Sequence, residues 1–232
     1  MLQKHILSYI LKIATVLTFL MSGNTYTIAQ QNNRHQTEMP VDTIPFFRGI
    51  AVSADLAGIG QLAFSDYGQY EAALRINLKD RYFPVIELGY GKADTENIIS
   101  KLSYKTSAPY GRVGVDFNLM KNKHDIYRIY GGVRYAYTSF KFDVEGNDIS
   151  DPVWGDNVEY SAKGIKASYH WLEAVFGLDA KIWGPIRLGW SFRYKRRLIH
   201  DDGNIGNTWY VPGYGKQGGT RLGGTFNVAF EL

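Results

Sequence analysis

Ser168, His170 and Glu173 are the residues of this 232-residue chain whose types come nearest to a nucleophile, a base and an orienting acid. A hydroxyl beside an imidazole is the start of acyl-transfer chemistry: the base takes the proton as the oxygen attacks, and an acid fixes the ring. The spacing works against the set. In an extended segment positions 168 and 170 share a face, whereas 173 has the opposite parity and points away. With no acid placed on its own face, His170 is not oriented as a general base. Ser168, Tyr169 and His170 then read as ordinary interface residues.

Other groups are weighed in the same way. His200-Asp201-Asp202 offers one imidazole and two adjacent carboxylates to a divalent cation, a weak set, and a solvated loop is expected. Asp143, Glu145, Asp148, Asp151, Asp156 and Glu159 gather acids around Trp154 and could meet Ca²⁺ or a cationic partner. Their spacing fits no EF-hand, and solvation is again expected. In Lys195-Arg196-Arg197, Arg196 has outward parity and suits a lipopolysaccharide phosphate or plain snorkelling, whereas Arg197 points inward or into the loop. Trp209, Tyr210 and Tyr214 could stack on glycan, but packing as a lid is the expected use. His35 and Glu38 lie in a polar stretch and are expected to be solvated. No catalytic, cofactor-binding or metal-binding residue is therefore expected, and no cofactor.

The elements that carry these residues follow from a period of two. In Gly184–Arg197, Ile186, Leu188, Trp190, Phe192 and Tyr194 make one list, and Arg187, Gly189, Ser191, Arg193 and Lys195 make the other. Such lists lie on opposite faces of a strand. Eight segments alternate in this way: Gly49–Ala57, Gly68–Lys79, Phe83–Gly91, Tyr110–Leu119, Ile126–Phe140, Ile165–Ile182, Gly184–Arg197 and Leu222–Leu232. Most have cores near the 9–11 residues that a tilted strand needs to cross a bilayer. Their connections alternate short and long, which suits a membrane barrel with short periplasmic turns and long external loops. A soluble eight-stranded barrel has no reason for that alternation.

On this reading the inward list holds seven acids, Asp55, Glu71, Glu87, Asp116, Glu173, Asp179 and Glu231. Facing them are seven bases, Arg75, Arg112, Arg128, Arg134, Arg187, Arg193 and Lys195. Eight strands leave a lumen that side chains fill, and buried charges persist when paired. A salt-bridged interior is expected, with glycines 89, 114, 132, 177 and 189 making room for the arginines. Tyr90, Tyr137 and Tyr194 form an aromatic girdle at the loop ends, and Phe117, Tyr127 and Phe230 form one at the turn ends. Phe83, Tyr110, Tyr169 and Trp183 lie at similar heights with the wrong parity.

Composition agrees. Aromatic content is 15%, Tyr (17) is the commonest ring, and Gly is frequent at 25. The absence of cysteine excludes disulfides, thiol catalysis and a lipid anchor on an N-terminal Cys. Residues 1–29 have a basic head, an apolar middle and Thr27-Ile28-Ala29 at the cut, the pattern of a cleaved signal peptide. Residues 30–46 read as a disordered periplasmic segment, and 47–232 as the barrel. The net charge is +4, of which Lys4 and Lys12 belong to the leader. The remaining surplus gives no case for nucleic acid.

Several stretches resemble an uncharacterised outer-membrane barrel family of Bacteroides-type bacteria, a domain-of-unknown-function family. They include Glu87-Leu88-Gly89-Tyr90-Gly91, Tyr110 to Asp116, Gly132-Val133-Arg134-Tyr135, His170-Trp171-Leu172-Glu173, Gly189-Trp190-Ser191 and Tyr210 to Lys216. The resemblance covers the barrel and implies its fold and location, but no activity. The final Phe226 to Leu232 looks like the C-terminal signal read by the barrel-insertion machinery, ending on Leu in place of the usual Phe. The expected fold is all-β, an eight-stranded antiparallel transmembrane barrel in the cell outer membrane. Its expected role is structural or surface-interacting, without catalysis. Expected partners are outer-membrane lipids and lipopolysaccharide, the insertion machinery, and an extracellular ligand at the loops. Two alternatives remain. Ser168 and His170 facing lipid look like the site of outer-membrane lipid A deacylases, and rearranged inner ion pairs could open a narrow pore.

Overall fold

The computed structural model describes residues 45–97, 101–150, 157–204, 206 and 208–232. The leader expected over 1–29 and the segment expected over 30–46, except Pro45 and Phe46, lie outside the described residues. Eight strands close into a ring in which every neighbouring pair is antiparallel. They are β1 (Phe47–Asp55), β2 (Tyr67–Leu78), β3 (Tyr82–Asn97), β4 (Leu102–Asn118), β5 (Tyr127–Ser150), β6 (Asn157–Trp183), β7 (Ile186–Asp201) and β10 (Thr220–Glu231). Around the barrel the order is β1-β10-β7-β6-β5-β4-β3-β2. A helix, α1 (Leu56–Phe64), joins β1 to β2, and a hairpin of β8 (Tyr210–Val211) and β9 (Gly215–Lys216) occupies the last connection.

Alternation fixes which face is which. Leu88, Val113, Val133 and Phe192 are exposed on the outside, and so are all six rings assigned to the two girdles. Phe83, Tyr110 and Tyr169 follow their parity inward and are buried, so the barrel interior is partly aromatic. Trp183 has inward parity in sequence but is 77% exposed, because the β6–β7 register shifts between Lys181 and Trp183.

Three expectations about the connections need correction. First, β3 and β4 run well past Gly91 and Tyr110, pairing out to Asn97↔Leu102. Second, β5 and β6 run past Phe140 and Ile165, pairing out to Ser150↔Asn157. At 24 and 27 residues these two strands far exceed the length that crosses a bilayer. Beyond the girdle the outward residues turn polar, and the apolar signal moves to the inward face as Ala93, Tyr104, Ala108, Phe140 and Phe142. Third, the loop expected after Ala57 contains α1. Asp55 caps it, accepting from Ala57 N at 3.0 Å and Gly58 N at 3.2 Å, which supplies two of the partners a helix start lacks.

At the opposite end the connections are short. Lys79 and Asp80 both have left-handed φ, 53° and 54°, and Arg81 N donates to Leu78 O at 3.0 Å. Positive φ at both central residues is the type I′ hairpin, which matches strand twist.

Candidate functional site

The inward charges form a continuous ladder along the barrel. Near the mouth Arg112 reaches Glu71 and Glu173, and Arg193 reaches Glu71 at 3.2 Å and Glu87 at 2.7 Å. Arg134 spans Glu87 at 2.8 Å and Asp116 at 2.6 Å. Arg75 spans Asp116 at 3.2 Å and Asp179 at 3.1 Å. Arg187 then joins Asp179 to Glu231, and Arg128 joins Glu231 to Asp80 in the β2–β3 turn. Each acid below the mouth lies between at least two guanidiniums, the forked donors best suited to carboxylates. Between them are voids of about 10 Å³ and 30 Å³, room for single waters but not for a column.

Two members of the expected charge set have other uses. Asp55 caps α1 and accepts from Phe226 N at 3.0 Å. Lys195 donates to Gly213 O at 2.6 Å and Tyr214 O at 3.3 Å. The expected room for arginines at the glycines also needs correction. A Cβ on Gly89 would lie 2.2 Å from the Tyr110 ring, and one on Gly177 would lie 2.6 Å from Tyr130. Tyrosine rings occupy that space, and Arg75 and Arg112 stack over Tyr130 and Tyr110 at 4.7 and 4.6 Å.

The mouth is covered by the segment that carries β8 and β9. Tyr210, Val211 and Tyr214 are almost wholly buried, so these rings form a lid, as their composition suggested. The barrel wall holds it through backbone carbonyls. Arg112 donates to Gly213 O at 2.8 Å, Tyr104 to Tyr210 O at 2.8 Å, and Tyr210 donates back to Gly68 O at 3.2 Å. Gly213 has φ +78°, and a Cβ there would lie 2.5 Å from Tyr110, so only glycine gives this turn its close approach.

The remaining sequence-flagged residues separate. His170 Nδ1 lies 2.6 Å from the Tyr135 hydroxyl and its ring packs on Tyr137 at 4.5 Å. Glu173 is inside, bonded to Trp171 Nε1 at 2.6 Å and to arginines, so parity was right to separate it from His170. Asp202 accepts from Tyr169 and Gln217, and with His200 at 3.5 Å it anchors the lid. Among the described residues no group of three or more His, Asp or Glu is arranged to hold a metal. Arg197 stacks on Tyr169 at 5.8 Å, and Arg196 is exposed. In the acidic stretch Glu145 pairs with Lys163 at 2.6 Å and Asp143 accepts from Gly164 N. Asp151, Trp154 and Asp156, and the side chains of Asp148 and Glu159, lie outside the described residues.

The lid was legible in its aromatics. A cavity between α1 and β10 was missed, because the residues that open it are Gly223 and Gly224 of β10 and a helix without an amphipathic signature.

Residues 6–231 match the sequence model of a family described as Domain of unknown function (DUF6048). No curated protein matches the chain in sequence. Among solved structures it is similar to Neisserial surface protein A, with a TM-score of 0.44 and 11% identity, covering 80% of this chain and 99% of that one. A major outer membrane protein from Thermus thermophilus gives 0.40 at 15% identity, covering 79% and 98%. The N-terminal β-barrel domain of Pseudomonas aeruginosa OprF gives 0.37 at 12% identity, covering 79% and 97%.

Proposed function

The chain belongs to the DUF6048 family, and we propose that it serves as an integral outer-membrane β-barrel of a Bacteroides-type bacterium with a structural or surface-interaction role and no catalysis. It would reach the membrane by way of a cleaved leader and the barrel-insertion machinery, and sit among outer-membrane lipids and lipopolysaccharide. The observation that carries the reading is the inversion of polarity. Leucine, valine and aromatic side chains cover the outside of a closed ring around an interior of buried, paired charges. Water would reward the opposite arrangement, and hydrocarbon rewards this one. Closure also removes the sheet edges that a bilayer cannot tolerate.

The lid and the β3–β6 extensions stand on the side away from the short turns, where an extracellular ligand would be met. The ladder and lid together favour a barrel that does not conduct. The test is to express the full chain and compare boiled and unboiled samples of the outer-membrane fraction by gel mobility, then record from planar bilayers. A heat-shifted band with silent bilayers is expected. A soluble, unshifted periplasmic product would overturn the reading, and steady unitary conductance would overturn the closed interior.

A further inference from the structure

The ring closes unevenly. β10 pairs with β7 from Thr220↔Arg196 to Phe230↔Ile186, but with β1 only from Asp55↔Asn227 to Ala51↔Glu231. Above Asp55 the partner strand gives way to α1. Ile50 and Leu232 exchange both backbone hydrogen bonds, at 3.1 and 2.8 Å. Alternate residues of β10, namely Phe230, Val228, Phe226, Gly224 and Leu222, therefore turn their N–H and C=O toward the β1 side. Phe226 N–H is taken up by the Asp55 carboxylate. For Gly224 and Leu222 no backbone partner stands on that side among the described residues. They lie opposite Phe192 and Tyr194, at and just below the upper girdle.

An open sheet edge at membrane depth is tolerated where it lines a cavity, and one is there. It has a volume of about 490 Å³ and lies between Gly58 and Gln61 of α1 and Gly223 and Gly224 of β10, with Tyr67 and Tyr214 behind. This falls within the size range of small-ligand sites. The charges on its wall are Asp55, Lys195, Lys216 and Arg221. Asp55 is saturated by the N–H groups of Ala57, Gly58 and Phe226, and Lys195 is spent on the lid carbonyls. Lys216 lies over the rings of Tyr67 and Trp209 at 5.3 and 5.0 Å. Arg221 donates to the carbonyls of Lys216 and Gln217. Neither of these two cations has a carboxylate partner among the described residues. Leu222, which lines the cavity, is 66% exposed, and Leu56 (42%) and Ile59 (41%) are exposed on α1, the helix that supplies Gly58 and Gln61 to its wall.

We propose that this lateral opening holds one anionic amphiphile drawn from the outer leaflet. Its acidic head group lies against Lys216 and Arg221, and its hydrocarbon chain leaves over Leu222 and Ile59 into the membrane. An acid head supplies the counter-charge the two cations lack, and an apolar tail covers these exposed apolar side chains. A free inorganic anion would satisfy only the first. The proposal rests on the membrane reading above, and the test separates the two.

The full chain, purified as its heat-modifiable form in neutral detergent, is titrated calorimetrically with hexadecyl phosphate, inorganic phosphate and hexadecyltrimethylammonium. Saturable one-to-one binding of hexadecyl phosphate alone is expected. Replacing both cations (Lys216→Gln with Arg221→Gln) should weaken it at least about tenfold, the scale of one charge-assisted hydrogen bond, with the gel shift retained. Gly223→Leu leaves both cations and fills the cavity. A Cβ at Gly223 meets only the flexible Lys195 side chain, 3.5 Å away, and this variant should lose binding too. Non-saturable partition equal in wild type and variants would overturn the site, and so would inorganic phosphate binding as tightly as the amphiphile. Failure to obtain any heat-modifiable form would instead overturn the membrane reading on which the site depends.

Discussion

Replacing Arg134 with Met removes the middle rung of the interior ladder while keeping an unbranched apolar stem. The Arg134 side chain is 1% exposed and Asp116 is wholly buried. Arg134 gives Asp116 two hydrogen bonds, at 2.6 and 3.0 Å, and gives Glu87 one at 2.8 Å. After the change Glu87 keeps Arg112 and Arg193, but Asp116 keeps only Arg75, at 3.2 Å. Breaking a buried pair from one side costs about 3–5 kcal/mol, because the survivor remains desolvated. Arg75 still faces Asp116, so the lower end, about 3 kcal/mol, is expected, a large share of a typical folding free energy. Asp116→Asn alone, which leaves Arg134 bonded to Glu87, is expected to cost about 2 kcal/mol. In the double variant neither partner of this pair is orphaned, and its cost should fall short of the sum of the two single costs by about 2 kcal/mol or more. Urea unfolding of the barrel refolded into lipid vesicles measures this, with an unchanged m-value as the control. If each single variant lost less than about 1 kcal/mol and the two added within about 0.5 kcal/mol, the ladder would be hydrated and the reasoning wrong.

Other outcomes follow from the same contacts. Gly89→Ala and Gly213→Ala each place a methyl group against the Tyr110 ring, at 2.2 and 2.5 Å. Each should cost about 1–3 kcal/mol, with Gly89→Ala largely rescued by Tyr110→Leu in the same urea assay. Lys195→Met removes two bonds to lid carbonyls and should speed hydrogen exchange across 210–216 by about tenfold per 1.4 kcal/mol lost, leaving β4 unchanged. Burial raises the Asp80 carboxyl, but hydrogen bonds from His124 and Asn77 and the charges of Arg48 and Arg128 outweigh it and hold the group below its ordinary value. Stability from a depressed carboxyl is present above its unfolded pKa and is lost as pH falls through the folded one. Unfolding midpoints taken downward from about pH 6 should therefore decline more steeply in the wild type than in Asp80→Asn.

The strands were legible because an apolar outer face and a charged inner face impose a period of two on both lists at once. That is why fourteen inward charges of the strands could be named from parity, although the tasks of Asp55 and Lys195 could not, and Asp80 in its turn was not among them. The inward aromatics were visible as the wrong parity of Phe83, Tyr110 and Tyr169, and their meaning needed the glycines opposite them. The extensions of β3–β6 were hidden because the barrel strands announce themselves through an apolar outward face, and there Lys92, Asp94 and Lys105 are exposed. The inward alternation of Tyr104, Thr106, Ala108 and Tyr110 was the surviving signal. α1 was obscured by Gly58 and Gly60, poor helix formers, although Asp55 before an uncharged run is an N-cap signature. The pairing that keeps Glu173 from His170 followed from parity alone, whereas the Tyr135 hydroxyl that meets His170 comes from a neighbouring strand and no spacing along β6 could reveal it.

The assignment of inside and outside is tested most directly by single cysteines, since the chain has none of its own. Leu188→Cys and Phe192→Cys lie on the outward list of β7, and Gly189→Cys and Ser191→Cys on the inward list. Each is treated in intact outer membranes with a membrane-soluble maleimide and with a charged, water-soluble one. Positions 188 and 192 are expected to react with the membrane-soluble reagent only, and 189 and 191 with neither until the barrel is unfolded. Reaction of 188 and 192 with the charged reagent would place that face in water and contradict the membrane barrel.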